Sequence, residues 1–262
     1  MKGYFQTHDQ TAHVGRLPTG AFPLHVHENV EVVYMATERC TMQIDDTTWE
    51  LNAGDIAIVF PLVPHGYQWI MKNRTGMMAL LLPDDFPEYS RTFRQFVPEA
   101  PILRASQLPA EAHDVARRLM AIPSGDPSPL RLAYLHLLLA HVLNALPLVS
   151  LETTRARNFS SQMIRYVYEH ACERITLATL SQALDVSQSH LSHLFSQQYR
   201  INFRRFVNGI RIHKALYLMR DPELSLTDIC TACGYDSMRT FRRAFVQETG
   251  VLPSEFQRPK AG

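Results

Sequence analysis

Two histidines one residue apart and a glutamate four residues after the second dominate the stretch LHVHENVE, residues 24–31. Imidazole nitrogens and a carboxylate are ligands for first-row transition metals, and they are equally hydrogen-bonding groups that can orient a small polar ligand. His25, His27 and Glu31 are all odd-numbered. Side chains on a strand alternate between faces, so an extended segment here would aim all three the same way. At the other end of the chain, MRTFRRAFVQETG (238–250) places arginines beside phenylalanines at helical spacing. Guanidinium forks on one side of a docked helix suit guanine edges or phosphate.

The first group needs a β framework to position it. Short runs, EVVYMAT, CTMQID, IAIVF and MMALLLP, alternate with the turn signals DD (45–46), NAGD (52–55), PLVPHG (61–66) and KNRTG (72–76). Short strands at this spacing predict a barrel or sandwich over residues 1 to about 85. Tyr34, Trp49, Phe60, Tyr67 and Trp69 fall on or near these strands. Most should be core. Tyr34 and Trp69 join His25, His27 and Glu31 as candidate effector-binding residues, because tyrosine and tryptophan faces stack on flat apolar groups. Residues 86–107 are mixed and support no assignment.

From 109 the period changes to helical. PAEAHDVARRLMAI (109–122) is followed by a loop at 123–129 and an apolar helix over 130–146, then by a linker at 147–158. The apolar helix carries Arg131, His136, His141 and Asn144 and ends at Pro147, which argues against a membrane span. So little polar surface implies burial in its own domain or against a second copy, and a homodimer is expected. The N-terminus, MKGYFQTHDQ, lacks the apolar core of a signal peptide, and four scattered cysteines make no disulfide framework, so a cytoplasmic location is expected.

Charge is uneven. Residues 156–262 hold 14 Lys+Arg and 9 Asp+Glu, a balance of +5, while 1–155 hold the remaining 12 and 16, a balance of −4. A basic end on a near-neutral chain suggests a polyanion partner for that end only. Beyond 159 the sequence reads as short capped helices. Ser160 or Ser161, Thr176, Ser187, Asn202, Ser225, and Asp236 or Ser237 are the expected N-caps, and Gly250 an expected C-terminal stop. The segments 175–203 and 224–253 repeat one plan: capped helix, tight turn, second capped helix with apolar residues at i and i+4. Leu191 and Phe195 match Phe241 and Phe245. These are two helix-turn-helix units joined by the helix 203–220. In the first unit's second helix, Ser189, Ser192, His193 and Gln197 are left outward. In the second unit's, Arg239, Arg242 and Arg243 are. Cys230-x-x-Cys233 could be half a zinc site, but no second pair lies nearby and the spacing turns Cys233 inward.

Residues 159–258, with ITLATLSQAL and LTDICTACGYDSMRTFRRAFVQETGVLPSEFQR, resemble the AraC-type bacterial transcription regulators. The resemblance implies that both second helices enter successive major-groove segments of double-stranded DNA. It puts Ser189, Ser192 and His193 against DNA in the first unit, and Met238, Arg239, Arg242 and Arg243 in the second. Met238 departs from a polar contact and would suit a thymine methyl. HVHENVE with LNAGDIAIVFPLVPHGY resembles the cupin pattern, in which His25, His27, Glu31 and His65 would be metal ligands; Glu38 stands where cupins usually have glycine. Three readings of this group stay open: a catalytic metal site, a non-catalytic metal site or metal-assisted sensor, and a metal-free pocket for a small molecule. The third is the arrangement the AraC resemblance implies, and a bland variant has the histidines satisfying only one another and backbone groups.

The expectation is an α+β two-domain chain: a cupin-like effector-binding and dimerisation domain over 1–150 and an all-α DNA-binding domain with two helix-turn-helix units over 159–262. The function implied is that of a sequence-specific transcription regulator, an activator engaging RNA polymerase, controlled by a small effector such as a sugar. No cofactor is required, with a divalent metal in the cupin pocket as the minority option. The alternative is a metal-dependent cupin oxygenase or isomerase fused to a helical domain.

Overall fold

Strand β3 (Val30–Met35) is buried at all 6 positions, which a strand satisfies only when both of its faces are covered. The two faces serve different cores. Val33 and Met35 turn toward Met42, Ile44, Leu51 and Tyr67. Val30, Val32 and Tyr34 turn toward Phe86, Val115, Leu119, Leu138 and Val142 of a helical layer. The computed structural model describes residues 13–17, 21–67, 76–123, 129–151 and 159–256. The chain divides into two compact units between Ser161 and Gln162.

In the first unit, two antiparallel sheets share the inner core. One has the order β1 (His13–Arg16), β8 (Gly76–Leu81), β3, β6 (Ile56–Val59), β10 (Ile102–Leu103). The other has the order β2 (Phe22–His25), β7 (His65–Tyr67), β4 (Cys40–Ile44), β5 (Thr47–Leu51). Helices α1 (Pro87–Gln95), α2 (Ala110–Ala121) and α3 (Pro129–Ala145) cover the outer face of the five-stranded sheet through Phe93, Ala112, Ala116, Leu135 and Leu139. Each helix buries one stripe, as the periodicity of 109–122 predicts; 130–146, apolar around most of its circumference, leaves Leu130, Leu132 and Leu137 exposed on its other side.

Three departures from the sequence reading have physical causes. The stretch 86–107 holds α1 and two strands, β9 (Phe96–Pro98) and β10. β10 pairs with β6 through Ile102 and Ala57, a contact too distant in sequence for local patterning to reveal. The expected linker does not begin at 147: Leu148–Ser150 form β11, paired with β9, while residues 152–158 lie outside those described. PLVPHG, read as a turn, ends inside β7, where His65 pairs with His25 and Tyr67 with Phe22.

The second unit is helical: α4 (Phe159–His170), α5 (Leu177–Leu184), α6 (Gln188–Gln197), α7 (Phe203–Leu218), α8 (Leu226–Ala232), α9 (Met238–Thr249) and α10 (Pro253–Phe256). Thr176, Ser187, Asn202, Ser225 and Ser237 each accept a hydrogen bond from a backbone N–H in the first turn of their helix. A cap of this type stabilises a helix by about 1 kcal/mol. Ser160 and Ser161 lie within the first turn of α4 instead of capping it.

Candidate functional site

The β unit brings His25, His27, Glu31 and His65 together, but not by the single extended strand the alternation suggests. His25 ends β2, His27 lies in the link beyond it, and the chain turns through Glu28 and Asn29 before Glu31 appears on β3 of the other sheet. His27 Nδ1 lies 3.1 Å from the Asn29 carbonyl and so pins this turn. Gly66, between His65 and Tyr67 on β7, permits the close approach of β2: a Cβ there would sit 3.0 Å from the Leu24 nitrogen and 3.0 Å from the Phe22 oxygen. That approach sets the His25 and His65 rings 4.2 Å apart.

All four side chains are buried, at 0–3% exposure, and one ligand atom from each lies within 4.8 Å of the others. Each imidazole has its Nδ1 on a backbone carbonyl: His25 on Pro23 at 3.1 Å, His27 on Asn29 at 3.1 Å and His65 on Val63 at 2.9 Å. A carbonyl oxygen only accepts, so each Nδ1 carries the hydrogen and each Nε2 is the atom left for the centre. His27 Nε2 and His65 Nε2 both lie 3.2 Å from Glu31 Oε2. The other carboxylate oxygen, Oε1, accepts the Tyr67 hydroxyl.

Burial pushes the His25 and His27 imidazoles below their usual range, His25 far below it, with neighbouring imidazoles adding to the effect. Burial also opposes charge on Glu31, yet His65 and His27 hold its carboxyl well below the usual range, so it is ionised. The Tyr67 phenol is pushed far up, chiefly by burial and then by Glu31, and stays a donor. A buried carboxylate here faces imidazole nitrogens with little water to screen it, and the four ligand atoms would suit a divalent cation. Three imidazoles and a carboxylate oxygen suit zinc, nickel, copper or iron(II), and ligands held about 2.1 Å from a tetrahedral ion are about 3.4 Å apart.

One further expectation is corrected, and another is left untested. Tyr34 is not in this group. As an even-numbered residue of β3 it faces the helical layer, with its ring 6.0 Å from His113 on α2. Trp69 lies outside the described residues. Tyr67 is the site residue missed; in sequence it is one aromatic among several strand aromatics, and only its place on β7 two residues after His65 distinguishes it.

The helical unit separates docking from outward residues as expected for helix-turn-helix pairs. On α6, Leu191, Leu194 and Phe195 are buried, while Ser189, Ser192, His193, Ser196 and Gln197 are exposed. On α9, Phe241, Ala244 and Phe245 are buried, while Arg239, Arg242 and Arg243 are exposed. Met238 is the exception: it is half-buried against the cluster that holds Ile229, Phe241 and Phe245, because the first turn of α9 leans on its own core. α7 ties the two helix-turn-helix pairs together. Phe203 and Phe206 pack near Phe195, with ring centroids 5.3 and 5.4 Å away, and Ile212, Ala215 and Leu216 join the core of the second pair. Arg211 donates to the carbonyls of Ala171 at 2.6 Å and Glu173 at 2.9 Å, and its guanidinium lies 5.2 Å from the centre of the Tyr235 ring. The turn between α8 and α9 requires Gly234: its φ is 76°, and a Cβ would lie 2.3 Å from the Cys172 oxygen. Cys230 and Cys233 are buried in the same core.

Between the two second helices lies a cleft of about 630 Å³, with Ser192 and Ser196 of α6 on one side, Thr240 of α9 on the other, and Arg204 of α7 among its lining residues.

Residues 7–140 match the AraC-like ligand binding domain and residues 180–259 match a helix-turn-helix domain. The chain belongs to the AraC family of transcription regulators. This AraC-type chain is 24% identical over 253 residues to the transcriptional activator RhaS of Escherichia fergusonii, covering 92% of this chain and 90% of the relative. It is 20% identical over 245 residues to the Msm operon regulatory protein of Streptococcus mutans, covering 89% and 85%. Among solved structures, ToxT of Vibrio cholerae is 14% identical with a TM-score of 0.43, covering 94% of this chain and 97% of that one. AraC-type proteins are regulators and not enzymes, so the relatives lend no support to a cupin oxygenase or isomerase. Among the described residues, no helix is long and apolar enough to cross a membrane.

Proposed function

We propose that this AraC-type regulator is a cytoplasmic, homodimeric activator that recruits RNA polymerase after its β unit takes an effector. The observation that carries the DNA-binding half is the pair of outward faces on α6 and α9, on either side of one cleft. Arg239, Arg242 and Arg243 supply guanidinium groups for guanine edges or phosphates, and Met238 contributes what its half-buried side chain leaves accessible. Ser189, Ser192, His193 and Gln197 are smaller polar groups that read bases more weakly or through water. Arg204 lies where a phosphate backbone would cross between the two helices.

Activation is proposed because RhaS, aligned over nearly the whole chain, carries that description. A dimer is proposed because α3 leaves Leu130 57% and Leu137 45% exposed. These two stand two turns apart on one side of the helix. The family resemblance points to a sugar as effector. The buried quartet argues for something smaller at its centre, since its ligand atoms lie within 4.8 Å of one another.

The test is a mobility-shift titration of the full chain on duplex DNA across salt concentrations. Binding that weakens steeply with salt is expected. No binding at low salt would overturn the DNA-binding assignment of these faces.

A further inference from the structure

We infer that the cleft between α6 and α9 is a second ligand site, one for a small organic phosphate with an apolar body, and that this ligand and the DNA backbone exclude one another there. The competition rests on the DNA-interface reading above; the ligand site itself does not.

The charge of the cleft carries the first half of the inference. Arg204, Asn208 and Arg211 of α7 all line it. At i, i+4 and i+7 they share one face of the helix. Arg204 is exposed and makes no ion pair among the described residues. Arg211 donates through Nε to the Ala171 carbonyl and through one terminal nitrogen to the Glu173 carbonyl. A guanidinium has further N–H donors to give, and carbonyls leave its charge uncancelled. Asn208 accepts the Tyr235 hydroxyl through Oδ1 at 3.2 Å, so its amide N–H groups are what it offers the cleft. Among the described residues lining the cleft, none is aspartate or glutamate. The recess thus presents donors and positive charge that the protein itself does not answer. A phosphate, with its several acceptor oxygens, matches guanidinium forks of this kind.

The floor carries the second half. Phe203, Val207 and Tyr235 are buried side chains that still line the cleft. The Tyr235 ring is fixed there by its bond to Asn208 and by the Arg211 guanidinium 5.2 Å from its centre. A phosphodiester backbone is polar along its length and has no use for such a floor. A free phosphomonoester with a hydrocarbon or aromatic body does. The cleft volume of about 630 Å³ falls among small-molecule pockets, which run from about 300 to 1,000 Å³. Ser192 on one side and Thr240 on the other belong to the two second helices. A ligand seated between them blocks the path of a DNA phosphate toward Arg204, and by linkage each occupant weakens the other.

The experiment titrates the full chain by calorimetry, at constant ionic strength, with phenyl phosphate, inorganic phosphate and phenol. The expected result is saturable binding of about one phenyl phosphate per chain, about tenfold tighter than inorganic phosphate because the ring is buried as well. Phenol should not bind. Arg204→Glu should weaken phenyl phosphate binding by about 10–100-fold. Arg174→Ala removes an exposed arginine of the same unit outside the cleft lining and should leave the isotherm unchanged. In a mobility shift, phenyl phosphate should release duplex DNA where sodium sulfate at equal ionic strength does not. The ligand site is overturned if phenyl phosphate shows no saturable binding at millimolar concentration, or if Arg204→Glu binds it as the parent chain does. It is also overturned if inorganic phosphate binds as tightly, which would reduce the cleft to an anion contact that ignores its floor. Phenyl phosphate binding that leaves DNA retained overturns the competition. Phenyl phosphate binding by a chain that retains no DNA at low salt sinks the DNA-interface reading and the competition with it, and leaves the ligand site standing.

Discussion

Tyr67 and Glu31 approach from different sheets, and the phenol donates to carboxylate Oε1 while the other oxygen faces His27 and His65. The pair joins β7 to β3 across the inner core, so it is both a structural clasp and a determinant of how Glu31 is presented. Removing the hydroxyl leaves a buried carboxylate oxygen without its donor, which costs about 1–3 kcal/mol, more where charge is involved. Tyr67→Phe in chelator-treated protein is therefore expected to lower stability by that amount in urea unfolding. An unchanged midpoint would show that the hydroxyl contributes nothing to Glu31.

Much of this arrangement is legible in the sequence, because the signals are local. The capping residues Thr176, Ser187, Asn202, Ser225 and Ser237 act on backbone N–H groups three positions away. His25, His27 and Glu31 could be grouped by residue type and spacing, and His65 joined them through the resemblance to the cupin pattern. What could not be read depends on distant pairing. Tyr34 reads in sequence as a pocket residue because its ring can stack on flat apolar groups. Only the helical layer on one face and Met42 and Leu51 on the other decide which parity faces inward. Tyr67 needed the β2–β7 register to be placed beside Glu31. Arg204 needed the packing of α7 against both helix-turn-helix pairs.

Arg243 and Arg204 should fail in different ways. Arg243→Ala is expected to weaken binding to the preferred DNA sequence by about 1–3 kcal/mol and to relax selection at one base pair. Arg204→Ala should weaken binding to all sequences alike and reduce the salt slope by about 1, the signature of a lost phosphate contact. Equal losses on specific and random duplexes for Arg243→Ala would reassign it to the backbone.

The exposed side of α3 makes a prediction about assembly. Leu130 and Leu137 lie opposite the stripe of Leu135, Leu138, Leu139 and Val142 that docks on the sheet. Leu137→Glu removes an apolar contact from a dimer face without touching the core, so it should leave the monomer fold intact by circular dichroism and convert dimer to monomer by sedimentation. A chain that is already monomeric at micromolar concentration would remove α3 as an interface.

Glu248 on α9 gives a pH test for the helical unit. Its carboxylate lies 3.7 Å from Arg205 Nε on α7, yet burial raises its pKa, and the arginine only partly offsets that. A carboxyl whose folded pKa lies above its unfolded value binds its proton more tightly when folded. Its stabilising contribution is complete below the unfolded pKa and is lost as pH rises through the folded value. At neutral pH the ionised side chain therefore costs stability, and Glu248→Gln, which mimics the protonated form, should melt higher than the parent chain. The difference should shrink toward zero at about pH 4, where the parent carboxyl is itself protonated. If Glu248→Gln instead melts lower at pH 7, the ion pair with Arg205 outweighs the burial, and the clasp between α7 and α9 is electrostatic.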